Sequence, residues 1–303
     1  MKKLGAIDIG TNSMRILIAK VKENKMIESF KDLRSTRIGE GVDKTGVLSQ
    51  NSIQRNIDAL KEFVEIAQRE KVEKLSIIAT SAVRDAKNKE DFLIRAYEEV
   101  GVHIEVISGE REAKLGFLGV LKGIGQIKNI LVLDIGGGST EFILGNEKGI
   151  HHVISINIGA VRMTEKFVTT DPVSKAEMDR MSEEIDHKIK IAMDDMKDFS
   201  IDCIVGIGGT ITTLAAVWKK LKIYDRNQVH NTKLQHNQIK EMIDIFLSKN
   251  IEERIKMEGV HPKRADIITA GTLILERILS KIHKDVIVSE YDNLEGLIFE
   301  ELH

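Results

Sequence analysis

Asp8 and Asp134 each close an apolar run, and each is followed by a turn rich in small and polar residues. The two stretches read Asp8-Ile9-Gly10-Thr11-Asn12-Ser13 and Asp134-Ile135-Gly136-Gly137-Gly138-Ser139-Thr140-Glu141. A constant offset of 126 residues carries Asp8 onto Asp134, Gly10 onto Gly136 and Ser13 onto Ser139. Glycine lets a backbone turn left-handed, or approach a ligand with no Cβ in the way. Successive free N–H groups in such a turn form a concave anion site, and Ser139 and Thr140 add hydroxyl donors at its rim. One glycine turn is a weak signal; two copies between apolar strands report an internal duplication.

Carboxylates beside a phosphate repel it unless a divalent cation intervenes. Mg²⁺ binds through one or two carboxylates together with waters and phosphate oxygens, so Asp8 and Asp134 are metal candidates. Arg15, Arg37, Arg84 and Arg264 are candidates for a bidentate grip on the remaining oxygens. Water attack needs a base, for which Glu112 and Glu141 are available. Arg15 occupies the position that matches Glu141 in the duplicate, so two facing hairpins would bring a cation and an anion to one cleft. A third turn, Gly206-Ile207-Gly208-Gly209-Thr210, leads into a helix N-terminus and suits a phosphate or the face of a purine. No Gly-x-x-x-x-Gly-Lys-Ser/Thr sequence occurs, which excludes a P-loop enzyme. His151 and His152 are adjacent and poorly spaced as a local metal pair, and Cys203 sits in an apolar strand, which argues against a nucleophile.

The elements that must hold these residues follow from periodicity. Leu4–Asp8 and Met14–Val21 read as a hairpin, with Lys25–Lys31 as a third strand. Ser49 or Asn51 caps a helix whose apolar residues Ile53, Ile57, Leu60, Phe63, Val64 and Ala67 keep helical spacing. Leu75–Thr80 is a buried-strand run that ends in Ser81-Ala82-Val83-Arg84-Asp85, placing polar groups at a strand's C-terminal end. Further helices are expected over Asp91–Val100 and from Ser108 to Lys122, with a strand at His103–Ile107. A domain boundary is placed after Gly123–Gln126, giving residues 1–124 and 125–303.

The second half begins again with strands at Asn129–Asp134, Glu141–Leu144 and Ile150–Ile156. A long helix is expected over Lys175–Phe199, its methionines serving as core. It is followed by a strand at Ile201–Val205, helices running to Lys219 and over Arg264–Ile282, a strand at Val286–Ser289 and a last helix over Leu294–Leu302. Each half thus reads as three strands, then helices and further strands. This is a duplicated α/β chain of two domains, with the active-site cleft expected between them.

Bulk properties limit the partners. Across 303 residues a formal net charge of -2 gives no general attraction to nucleic acid or an anionic membrane, so any polyanion must be held by local basic residues. A single cysteine excludes an internal disulfide and suits a reducing compartment. No apolar run approaches the roughly 20 residues that span a bilayer. A cytoplasmic protein is expected.

Taken together, these motifs resemble the exopolyphosphatase and guanosine pentaphosphate phosphohydrolase family, within the superfamily of actin, sugar kinases and heat-shock ATPases. Besides the two turns, the resemblance is carried by Arg37-Ile38-Gly39-Glu40-Gly41-Val42, Thr80-Ser81-Ala82-Val83-Arg84-Asp85, Ser108-Gly109-Glu110-Arg111-Glu112-Ala113, Gly159-Ala160-Val161-Arg162, the third turn and Arg264-Ala265-Asp266-Ile267. It implies a duplicated ribonuclease H-like, actin-like fold. It also implies hydrolysis of a terminal phosphoanhydride with Mg²⁺, or Mn²⁺ in its place, acting on polyphosphate or converting guanosine pentaphosphate to tetraphosphate.

By the same resemblance, Glu112 matches the glutamate that activates water, and Asp134 and Glu141 match residues at the metal and the attacking water. The phosphate cradles are matched by Gly10, Thr11, Asn12, Ser13, Gly136, Gly137, Gly138, Ser139, Thr140, Gly208 and Gly209, with Arg15, Arg84 and Arg264 as cations. A homodimer is compatible with this reading.

Two departures stand out. Longer members carry a C-terminal helical domain that helps hold a long polyphosphate, and this sequence ends without one, so less processive action on long polymers is expected. Members usually read Gly-Leu-Arg before a Glu-Gly pair, whereas here Asp292-Asn293-Leu294 precede Glu295-Gly296, which removes one cation. A sugar-kinase reading would need a sugar-facing catalytic aspartate, and no segment proposes one. A non-catalytic sensor would be signalled by loss of Glu112 or Glu141, and both are present.

Overall fold

The computed structural model describes residues 1–125 and 128–302; Gln126, named at the expected boundary, lies outside them. Two compact units are present: Met1–Gly119 together with Asn293–His303, and Val120–Asp292. Sequence reading placed the boundary at 124/125 and kept the last helix with the second half. Here the division falls inside the helix Gly109–Ile124, and the helix Asn293–Glu300 packs on the first unit's sheet.

The first unit is built on strands β1 (Lys2–Ile9), β2 (Met14–Lys22), β3 (Lys25–Arg34), β4 (Lys74–Ala79) and β5 (Glu105–Val106). Their order is β3-β2-β1-β4-β5, antiparallel through the first three and parallel from β1 onward. Side chains alternate across a strand, and both faces of β1 are buried. Ile7 and Ile9 join Ile16, Ile53, Phe63 and Phe92 under the helices Gln50–Arg69 and Lys89–Val100. Leu4 and Ala6 join Leu115, Leu294, Leu297 and Ile298 on the other face. There the helices Gly109–Ile124 and Asn293–Glu300 cross so closely that a Cβ on Gly296 would lie 1.9 Å from the Leu115 carbonyl oxygen.

The second unit repeats the plan with β6 (Ile130–Ile135), β7 (Thr140–Asn146), β8 (Gly149–Ile156), β9 (Cys203–Ile207), β10 (Lys233–Leu234) and β11 (Val286–Val288). Read from β8, the order β8-β7-β6-β9-β11 matches β3-β2-β1-β4-β5, with β10 added at the edge. The duplication seen in the sequence is therefore a duplication of sheet topology. The long helix runs over Lys175–Met196, three residues shorter than expected, and Met178, Met181 and Met196 are core.

The helix expected over Arg264–Ile282 is instead a 3-10 turn, Pro262–Arg264, followed by a helix over Ile268–Ile282. The region between Lys219 and Arg264, to which sequence reading gave no elements, holds helices at Arg226–Val229, His236–Leu247 and Ile251–Ile255 as well as β10. No helix among the described residues is long and apolar enough to cross a membrane.

Candidate functional site

Each of the two duplicated turns is closed by the same internal hydrogen bond. Gly10 N donates to Ser13 O at 3.0 Å, and Gly136 N donates to Ser139 O at 3.0 Å. Strand register sets Asp8 opposite Arg15 and Asp134 opposite Glu141. The duplicates therefore differ chemically at one cross-strand partner, a cation in the first and an anion in the second.

In the first unit, Arg15 Nη2 donates to Asp8 Oδ2 at 2.5 Å, and Asp8 is buried. Asp8, expected at a metal, thus has an arginine as its neighbour across the hairpin. The turn is clamped from outside: Arg37 N donates to Asn12 O and Gly39 N to Thr11 O, each at 3.0 Å. Thr11 Oγ1 and Ser81 Oγ share a hydrogen bond of 2.8 Å, which ties the turn to the start of the helix Ser81–Asp85. Asn12 is buried, yet its Oδ1 and Nδ2 find no hydrogen-bond partner among the described residues. An unsatisfied buried amide is costly, and a ligand oxygen on this turn would satisfy its Nδ2 donor.

Glu112 lies in the first turn of the helix Gly109–Ile124, where its amide donates to Ser108 O at 2.9 Å and its side chain is buried. Arg84 Nη1 donates to Glu112 Oε2 at 3.1 Å and to Ile107 O at 3.0 Å. Arg84, expected on a phosphate, is therefore also the cation that orients this glutamate.

In the second unit, Asp134 and Glu141 are both buried, and an oxygen of each lies within 4.8 Å of the other's. Two hard oxygen donors side by side on a rigid hairpin suit Mg²⁺ or Mn²⁺. Ser155, set opposite Glu141 by the β7–β8 register, donates to Glu141 Oε1 at 2.8 Å. Sequence reading had no reason to single out Ser155, because the signal lies only in that register.

The carbonyls of the second turn are all engaged: Ala160 N donates to Gly136 O, Val161 N and Arg162 N to Gly137 O, and Arg162 Nε to Gly138 O. Burial pushes the Arg162 guanidinium below its ordinary pKa. A Cβ on Gly159 would lie 2.4 Å from the Gly137 carbonyl, so only glycine lets the following helix reach the turn. With its carbonyls engaged in this way, the turn is held in one shape. Thr140, expected on a phosphate, is fully buried and donates its hydroxyl to Ile158 O at 2.7 Å; it braces the turn.

The third turn stands in the same unit. Gly208 has φ 86 and ψ 166, and a Cβ there would lie 2.7 Å from Asp134 Oδ1. A Cβ on Gly209 would lie 1.9 Å from both terminal nitrogens of Arg264. Asp134 and the Arg264 guanidinium thus flank the Gly208–Gly209 step, where the uncapped helix Gly209–Trp218 begins. A cation at a helix N-terminus opposes the helix dipole. A phosphate oxygen at this step would be favoured by both. Cys203 is half-buried, and burial raises its thiol pKa, which argues against a nucleophile.

Residues 17–303 match the Ppx/GppA phosphatase family. The bifunctional 3-dehydroquinate synthase/phosphatase of Fusobacterium nucleatum is 40% identical over 97% of this chain, and the match spans 46% of that protein's length. Exopolyphosphatase 2 of Mycobacterium tuberculosis is 30% identical over 98% of both chains. The crystal structure of the Aquifex aeolicus member of the Ppx/GppA family is 37% identical with a TM-score of 0.84, covering 99% of this chain and 97% of that one. The doubled sheet order is accordingly the actin-like one.

Proposed function

Because the chain belongs to the Ppx/GppA phosphatase family, we propose that it releases terminal orthophosphate from inorganic polyphosphate by metal-assisted attack of water. The observation that carries this reading is the pairing of Asp134 with Glu141 on one buried hairpin, beside the Gly136–Gly138 and Gly208–Gly209 turns.

Asp134 and Glu141 would hold a divalent cation, Mg²⁺ or Mn²⁺; when bound, it neutralises phosphate charge and acidifies a coordinated water. Glu112, oriented by Arg84, takes the proton from the attacking water. Glu141 is kept in place by Ser155. In the first unit the Gly10–Ser13 turn and Arg15, and in the second the Gly136–Ser139 turn and Arg264, each offer donors to phosphate oxygens. Asp8 fixes the direction of Arg15 and stands near any cation held by the first turn. Phosphoryl transfer is largely dissociative, so such positioning and charge neutralisation supply most of the catalysis.

Guanosine pentaphosphate carries the same terminal anhydride, and the Gly208–Gly209 step with Arg264 offers a second anion or base site for it. The proposal also takes the protein as cytoplasmic and as a candidate homodimer, which sedimentation would test. Orthophosphate release with Mg²⁺ from short polyphosphate, long polyphosphate, guanosine pentaphosphate and ATP, measured side by side, tests the substrate. Fastest release from polyphosphate supports the reading, fastest release from the pentaphosphate exchanges the two substrates, and no release from any of them overturns it.

A further inference from the structure

Arg254, on the helix Ile251–Ile255, is a charged side chain only 1% exposed. A guanidinium removed from water is costly unless its donors are used. Here Nε donates to Lys249 O at 3.1 Å and Nη2 to Asp171 Oδ1 at 2.9 Å. Nη1 donates to Ala265 O at 2.7 Å and to Thr269 Oγ1 at 3.0 Å. Burial pushes its pKa down, and Asp171 opposes that. A charge this deeply buried is weak ground for stability, because an apolar side chain would often serve as well. Its use must lie in what it fixes.

The Ala265 bond shows what that is. Ala265 follows Arg264, whose guanidinium fills the space a Gly209 side chain would take. The local bonds of this turn, Arg264 N to His261 O at 2.8 Å and Ile267 N to Arg264 O at 3.1 Å, shape it, and the buried Ala265 seats it on the core. Arg254 adds a directional polar grip, holding the Ala265 carbonyl on one side and the Asp171 loop on the other. Asp171 in turn accepts from Ile251 N at 2.9 Å, closing the bracket.

We propose that Arg254 is a positioning residue: by gripping the Ala265 carbonyl it sets the angle at which Arg264 meets an anionic substrate over the Gly208–Gly209 step. The inference rests on the reading of Arg264 as a phosphate-binding cation. A misplacement of about 1 Å in a binding group is enough to cost up to about 100-fold.

The test is a double-mutant cycle with tripolyphosphate and Mg²⁺, reading KM and kcat separately. Arg264→Ala is expected to raise KM about tenfold, the worth of one charge-assisted hydrogen bond. Arg254→Lys is expected to raise KM about tenfold alone and less than about twofold in the Arg264→Ala background, because it acts through Arg264. Asp171→Asn keeps the Ala265 bond, so it is expected to lower the melting temperature and leave KM unchanged. Should Arg254→Lys fail to fold, Thr269→Val loosens the same Nη1 and is expected to raise KM only when Arg264 is present.

An equal effect of Arg254→Lys in both backgrounds would overturn the proposal, as would a rise in KM with Asp171→Asn. If Arg264→Ala leaves KM unchanged, the phosphate reading of Arg264 itself fails. That outcome is distinct from one in which Arg264→Ala raises KM and Arg254→Lys does not.

Discussion

Asp134 Oδ1 stands 2.7 Å from the point that a Cβ on Gly208 would occupy, so the carboxylate and the third glycine turn share one space. Gly208 holds φ 86 and ψ 166, a conformation essentially reserved for glycine. Gly208→Ala should therefore cost about 1–3 kcal/mol in backbone strain and push the Asp134 carboxylate off its position. The expected outcome is a fall in kcat of at least about tenfold, larger than the stability loss accounts for, measured by steady-state kinetics beside thermal unfolding.

Arg15 and Asp8 form the corresponding cross-strand pair of the first hairpin, and the carboxylate is buried. Breaking a buried pair from one side costs about 3–5 kcal/mol, whereas replacing both partners is often close to neutral. Arg15→Met is expected to destabilise by about 3 kcal/mol, and Asp8→Asn added to it should recover most of that loss. Denaturant unfolding of the single and double variants checks the prediction, and equal losses would contradict it.

Glu177 gives a pH signature away from the candidate site. Burial pushes its carboxyl up, but donors on Thr169, Thr170 and Ser174 overcome this and hold it well below its ordinary value of 4.5. A carboxyl whose folded-state pKa is depressed stabilises the fold above its unfolded pKa. That contribution is lost as the pH falls below about 4.5 toward the folded value. Glu177→Gln should be less stable at neutral pH and should show a flatter stability profile below about pH 4.5; thermal unfolding across that range reads both.

Much of the candidate site is legible in the chain because it repeats. Asp8 and Asp134 with their turns are recognisable from spacing alone, and the hairpins fix Arg15 and Glu141 as their cross-strand neighbours. Legibility ends where partners come from other elements. Ser155 reaches Glu141 only through the β7–β8 register, and Arg254 reaches Asp171 and Ala265 across distant sequence. Arg84 reads as one more phosphate cation until its hydrogen bond to Glu112 is seen. The expected helix at Arg264 begins only at Ile268, because a 3-10 turn over Pro262–Arg264 precedes it, opened by a proline, which favours a helix start and lacks a backbone donor.

The central claim is that Glu112 activates the attacking water. It is tested most directly by comparing Glu112→Gln with the native chain for orthophosphate release from short polyphosphate with Mg²⁺, together with substrate binding by calorimetry. Removal of a general base costs about 10²- to 10⁴-fold in rate. Glutamine keeps the shape of the side chain and an oxygen that accepts from Arg84. The account predicts a loss of turnover in that range with a dissociation constant within a few-fold of native, and turnover that persists at the native rate would contradict it.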